Sequence, residues 1–174
     1  LEKHSEGIIA TSACLGGIYA GSYWENREEG DDAVLDAMRE TTKRFQAIFG
    51  DRWYAEVQWN TIAEQHELNK FVIKIAEEFD IPLVSTVDCH YPVKEQWQNR
   101  ELYKRLAWLG KKKIEDIEAL PETIDDTKCE LFVKNGDEVF SSYKKCCEVM
   151  DVEYNDDLIR ESIERTHHIV HDRI

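Results

Sequence analysis

The pattern that most constrains the fold is an alternation of short apolar runs with longer amphipathic segments in the first 88 residues. Runs rich in apolar, β-branched or aromatic residues occupy positions 7–14, 52–58 and 81–88, and each has the length of a β-strand. Between them, positions 31–51 and 62–80 carry apolar residues at helical spacing. Such alternation favours a parallel sheet, because each helix returns the chain to the same end of the sheet. The sequence therefore predicts an α/β fold.

The second half of the chain has a different pattern. Apolar residues recur at helical spacing over 94–112 and 155–174, and an acidic, turn-rich connection lies between them at 114–128. We therefore divide the chain into an α/β part, 1–92, and a mostly helical part, 93–174.

Two asparagines mark boundaries within the helical part. Asn135 and Gly136 predict a turn between a short extended piece and a helix, since this dipeptide favours turns. Asn155 or Asp156 is expected to cap the last helix.

The composition excludes several classes of protein. The 174 residues are 42% hydrophobic, which suffices for one compact domain or a substantial piece of a larger one. A net charge of −14 opposes DNA binding, although a local basic stretch at 104–113 is an exception that we interpret as a solvated helix end. Neither a transmembrane run nor a signal-peptide pattern is present in the sequence, so we expect a cytoplasmic protein without membrane contact.

The cysteines do not form a disulfide framework. Five of them, an odd number without C-x-x-C spacing, are expected to be reduced. The vicinal Cys146 and Cys147 lie in a helical pattern, where cysteine usually acts as a small buried hydrophobe.

Histidines outside the strand ends are weaker candidates for metal binding. His167 and His171 are four residues apart, a spacing that can chelate zinc, but His168 stands where the glutamate of an H-E-x-x-H site would be. Because chain ends often fray, a solvated terminal helix is the better interpretation. We expect His66 to lie on the surface of its helix.

Candidate functional residues follow the predicted strands. Cys14 follows the first strand, Glu56 and Gln58 end the second, and Asp88 and His90 end the third. Residues two apart on a strand point to the same side, so Asp88 and His90 could present a carboxylate and an imidazole to a divalent ion, and Cys14 could add a thiolate. The alternative is structural: His90 caps the strand and Asp88 holds a helix N-terminus.

Four stretches of the sequence are similar to a known family. "EGIIATSACLGG", "IFGDRWYAEVQ", "EQHELNKFVIKIAEEFDIPLVSTVDCHYP" and "CELFVKNGDEVFSSY" occur in this order. Together they resemble the second half of the PHP (polymerase and histidinol phosphatase) domain of bacterial C-family replicative DNA polymerases, the DNA polymerase III alpha subunits. The divergence of the chain suggests a phage-encoded member.

The resemblance implies a fold and a set of ligands. The family's domain is a distorted (β/α)7 barrel, so this chain is expected to form part of such a barrel over 1–92 and a helical connector toward the polymerase palm over 93–174. It also implies that Cys14, Asp88 and His90 bind a divalent metal ion, zinc or manganese in the intact domain, whereas Glu56 has no ligand role. The family's H-x-H pair does not occur in this sequence.

The expected function is therefore that of a fragment. The parent would be a DNA-directed DNA polymerase, while this piece would be inactive, would contact the rest of the polymerase chain, and would meet DNA only through the parent. A non-catalytic docking module and a stand-alone PHP phosphoesterase are the alternatives. Open strand edges and bare apolar surface further predict that the fragment forms a homo-oligomer.

Overall fold

A computed structural model describes residues 2–108 and 130–174. Within these residues, three parallel strands form one sheet in the order β1-β2-β3. Ala10 of β1 pairs with Trp53 of β2, and Gln58 at the end of β2 pairs with Thr86 of β3. The predicted mixed α/β architecture is confirmed. The strands are β1 (Ala10–Thr11), β2 (Trp53–Gln58) and β3 (Leu83–Thr86).

Helices separate and follow these strands. The predicted helical stretches 31–51 and 62–80 form α2 and α3, each ending within two residues of the expected boundary. The described helices are α1 (Ile18–Asn26), α2 (Asp31–Phe49), α3 (Ala63–Phe79), α4 (Trp97–Trp108), α5 (Gly136–Met150) and α6 (Asp156–His168), which continues into a π-helical turn (Ile169–Arg173).

The core lies around β2, which is buried along its whole length. Trp53 and Val57 of this strand are at most 1% exposed, as expected for a central strand covered on both faces. Met38 of α2 and Ile75 of α3 are fully buried in the same cluster, and so is Ile159 of α6. The apolar periodicity of α2 and α3 thus marks their core-facing sides, as predicted.

The first predicted strand is much shorter than the apolar run that suggested it. β1 covers two residues, because Ala13 adopts a positive φ of 60° and turns the chain out of the sheet. Helix α1, which the sequence did not predict, begins four residues after Cys14. Its start packs against the turn so closely that a Cβ atom on Gly17 would lie 2.2 Å from the carbonyl oxygen of Ser12.

The two predicted asparagine boundaries are helix starts. Asn135, predicted as part of a turn, caps α5: its side chain accepts from the amide of Glu138, whose carboxylate accepts from the amide of Asn135. The side chain of Asn155 accepts from two amides in the first turn of α6, which confirms the predicted cap.

The helical part packs against the sheet. Ser162 of α6 and Ser85 of β3 are both buried, and their hydroxyl oxygens are 2.6 Å apart. The division at residue 92 stays a prediction. The predicted connection 114–128, Cys129 and the end of the basic stretch lie outside the described residues.

In residues 2–108 and 130–174, the helices are all too short or too polar to span a lipid bilayer.

Candidate metal site at the carboxyl ends of the strands

The Glu56 side chain on β2 forms hydrogen bonds with residues of β1 and β3 near the carboxyl ends of the three strands. Its side chain is 9% exposed and lies on the central strand. Thr11 of β1 donates to one carboxylate oxygen over 2.5 Å, and Thr86 of β3 donates to the other over 2.5 Å. The amide of Gln58 donates to the same oxygen as Thr86, over 3.0 Å. These hydrogen bonds satisfy the buried carboxylate and tie the ends of the strands together.

Cys14 lies in the tight turn that follows β1. The amide of Gly17 donates to the Cys14 carbonyl over 2.7 Å, and the amide of Gly16 lies 3.5 Å from the Cys14 sulfur. Ser12 anchors the turn, since its hydroxyl accepts from the Glu56 amide over 2.8 Å. The thiol is partly exposed, so it is accessible.

Asp88 and His90 lie together beyond the end of β3. His90 Nε2 is 3.4 Å from Asp88 Oδ1, and both side chains are partly exposed. The prediction that they share a strand is wrong: β3 ends at Thr86, and Asp88 has a positive φ of 49°. Asp88 and His90 therefore come together in a loop, and not as alternate residues of a strand.

A second backbone segment holds this loop in place. The His90 amide donates to the Leu131 carbonyl over 2.7 Å, and Tyr91 forms an isolated parallel bridge with Phe132. The Tyr91 ring also lies against the Phe132 ring, with centroids 6.3 Å apart. The extended piece before α5 thus supports the candidate pair, a contact that the sequence did not indicate.

The arrangement provides an incomplete set of metal ligands. The Asp88 carboxylate and the His90 imidazole are suitable ligands for zinc or manganese, but zinc in proteins usually takes at least three protein ligands. Across the described ranges, no three His, Cys, Asp or Glu side chains are grouped closely enough to hold a metal ion, so Cys14 does not join the pair in such a group. Metal binding by Cys14, Asp88 and His90 stays a prediction.

His66 differs from its predicted surface position. It is 2% exposed, its Nε2 lies 2.6 Å from the Asn60 carbonyl oxygen, and its Nδ1 lies 3.3 Å from the Tyr154 hydroxyl. Burial lowers the pKa of His66, and the Asn60 carbonyl opposes this effect. Trp59 and Tyr143 complete the surrounding aromatic cluster. These aromatic residues are too far apart in the sequence for helical periodicity to reveal the cluster.

The vicinal cysteines are structural. Cys146 is 3% exposed, and burial raises the pKa of its thiol to about 12. Burial also raises the pKa of the partly buried Cys147. Both thiols are therefore protonated at neutral pH, which disfavours a nucleophilic or ligand role.

Comparison with known proteins identifies related sequences. No protein-family profile matches the chain. DNA polymerase III subunit alpha of Aquifex aeolicus is 42% identical over 91 residues, which cover 52% of this chain and 7% of that protein. The subunit of Borreliella burgdorferi is 33% identical over 138 residues, covering 76% of this chain and 11% of the relative.

The relationship extends to further bacteria. The corresponding subunit of Thermus aquaticus is 30% identical over 139 residues, which cover 80% of this chain and 10% of that protein. The chain thus spans only about a tenth of the length of these relatives. By sequence, the chain is related to a region of the DNA polymerase III alpha subunit.

Proposed function

We propose that this chain is the later part of the PHP domain of a replicative DNA polymerase alpha subunit, where it supplies one wall of a metal site. The observation that carries the proposal is the Asp88–His90 contact beyond the end of β3, in a chain related to alpha subunits. In α/β folds, ligands gather at the carboxyl ends of parallel strands. Three such ends meet here, beside the Glu56 network.

The roles of the residues follow from their positions. Asp88 Oδ1 and His90 Nε2 would hold a zinc or manganese ion, and Cys14 would contribute a thiolate once ligands from the rest of the domain complete the site. Such an ion would polarise a phosphoester and activate water. Glu56 would keep the strand ends at a fixed separation. The present chain, with two ligands in contact, is expected to hydrolyse phosphodiesters poorly or not at all.

The remaining parts of the proposal concern the parent protein. Residues 1–92 would belong to a PHP-type barrel, and residues 93–174 would lead toward the palm of the polymerase. The rest of the polymerase chain would be the partner of this region, and DNA would be contacted only through the parent. A phage origin stays a prediction.

Metal stoichiometry tests the proposal. The purified chain is stripped with chelator, reloaded with zinc or manganese, and desalted beside an Asp88→Ala, His90→Ala double variant. Because the chain supplies only two ligands in contact, we expect the wild-type chain to hold one weakly bound equivalent at this pair and the double variant to lose it. Circular dichroism establishes whether each protein remains folded.

A matched control comes from the last helix. His168 and Asp172 form another exposed histidine–aspartate pair, with Nδ1 and Oδ2 2.5 Å apart. A His168→Ala, Asp172→Ala variant should keep the equivalent that the first variant loses. Equal metal content in the folded wild-type chain and the Asp88→Ala, His90→Ala variant would contradict the proposed role.

A further inference from the structure

The last helix brings two exposed imidazole rings together. The ring centroids of His167 and His171 are 4.0 Å apart, and the ring planes are inclined by 43°. Both side chains are exposed, so solvent ions can reach them. This proximity is a finding of the structure, since the spacing in the sequence alone favoured a solvated terminal helix.

The helical turn that carries these rings is held in place. Arg173 donates to the Asp51 carboxylate over 2.9 Å, which links the end of the chain to the turn before β2. Asp172 pairs with His168 one turn earlier. The π-helical turn Ile169–Arg173 extends α6 to this point. The two imidazoles therefore lie on the last turn of α6 and on the π-helical turn that continues it, in a segment that is helical to Arg173.

We propose that His167 and His171 form a bidentate site for a divalent transition-metal ion of the zinc, nickel and copper class. Imidazole nitrogen is a preferred ligand of these ions, and two rings on adjacent turns of one helix can bind the same ion. The site is separate from the Asp88–His90 pair and does not depend on the proposed polymerase role. Two protein ligands leave positions open to water, so binding is weaker than at a structural zinc site with four protein ligands.

The net charge of the whole chain favours cations near its surface. This charge is −14, although Arg165 and Arg173 balance the exposed carboxylates Glu164 and Asp172 at this helical end. A negative surface raises the local concentration of cations.

Zinc titration with competition from a chromogenic indicator tests the site. In the whole chain, the His167→Ala, His171→Ala variant should lose this zinc equivalent, because both ligands are removed. The single His171→Ala variant should bind zinc at least about tenfold more weakly, because the second imidazole no longer acts within the same molecule. Zinc should also raise the melting temperature of the wild-type chain more than that of the double variant.

Two controls separate this site from other sources of binding. His4→Ala removes an exposed histidine outside the last helix and should leave the zinc affinity of this site unchanged. Asp88→Ala, His90→Ala should leave the His167–His171 equivalent intact, so this inference and the proposed function can fail independently. Equal zinc affinity in the wild-type chain and the folded His167→Ala, His171→Ala variant would overturn the inference.

Discussion

At the scale of single residues, buried polar groups define the ends of the strands. Glu56 is a nearly buried carboxylate whose oxygens accept from Thr11, Gln58 and Thr86. Hydrogen bonds to a charged acceptor are stronger than those between neutral groups. A buried polar group left without a partner lowers the free energy of unfolding. Glu56 therefore stabilises the sheet where the candidate metal ligands emerge, which explains a glutamate inside a core strand.

His66 makes stability depend on pH. Burial lowers its pKa below the ordinary value of 6.5, and the charge of Lys70 acts in the same direction, while Asn60 opposes both. As pH falls, the unfolded chain takes up this proton before the folded chain does. The contribution of His66 to the free energy of unfolding is thus fully present above about 6.5 and decreases below it. We expect His66→Gln to reduce the loss of stability between pH 7.5 and pH 5.5, measured by urea denaturation.

The exposed His4 provides the comparison for this prediction. His4→Gln should leave the difference in unfolding free energy between the two pH values close to that of the wild-type chain. The same pH dependence in His66→Gln and in the wild-type chain would show that the buried imidazole is not its source.

At the scale of elements, the turn between β1 and α1 is closely packed. The amide of Ile18 donates to the Ser12 carbonyl, and Gly17 is in contact with that same carbonyl. Cys14 lies between these anchors. The position of the thiol therefore depends on close backbone packing, which only glycine at position 17 allows.

Two glycines at the start of α1 give a matched test of this packing. Gly17→Ala would place a Cβ atom 2.2 Å from the Ser12 oxygen, and we expect it to destabilise the protein by about 3 kcal/mol. Gly21→Ala in the same helix meets no atom within 4 Å and should stabilise it by about 0.5–1 kcal/mol. Urea denaturation measures both changes. A neutral effect of Gly17→Ala would contradict the close approach of the backbone.

At the scale of the whole molecule, open strand edges and exposed apolar side chains predict self-association. Among the described residues, β1 and β3 each pair with β2 alone, which leaves two strand edges for further pairing. Leu102, Tyr103 and Leu106 of α4 are 52%, 72% and 59% exposed. Open strand edges and grouped exposed apolar side chains both favour association.

Light scattering over a range of concentrations tests this prediction. We expect a concentration-dependent increase in mass for the wild-type chain, and a smaller increase for Leu102→Ser, Leu106→Ser, because that variant removes part of the apolar face. Val149→Ser is the control, since Val149 is 52% exposed on another helix. A monomer at all concentrations would exclude self-association.

Elements whose signals are local could be predicted from the sequence. The helices α2 and α3, the strand β2 and the Asn155 cap have signals in neighbouring residues, so periodicity and capping rules predicted them, although the complete burial of β2 was not predicted. Tertiary structure decided the features that depend on distant residues. The Leu131 carbonyl accepts a hydrogen bond from the amide of His90, and the Tyr154 hydroxyl contacts the buried His66. Glu56 accepts hydrogen bonds from Thr11 and Thr86, which lie on strands that whole helices separate in the sequence. These contacts form only when folding brings distant segments together. They determine how deeply these side chains are buried, which groups they bond to, and the pKa of His66.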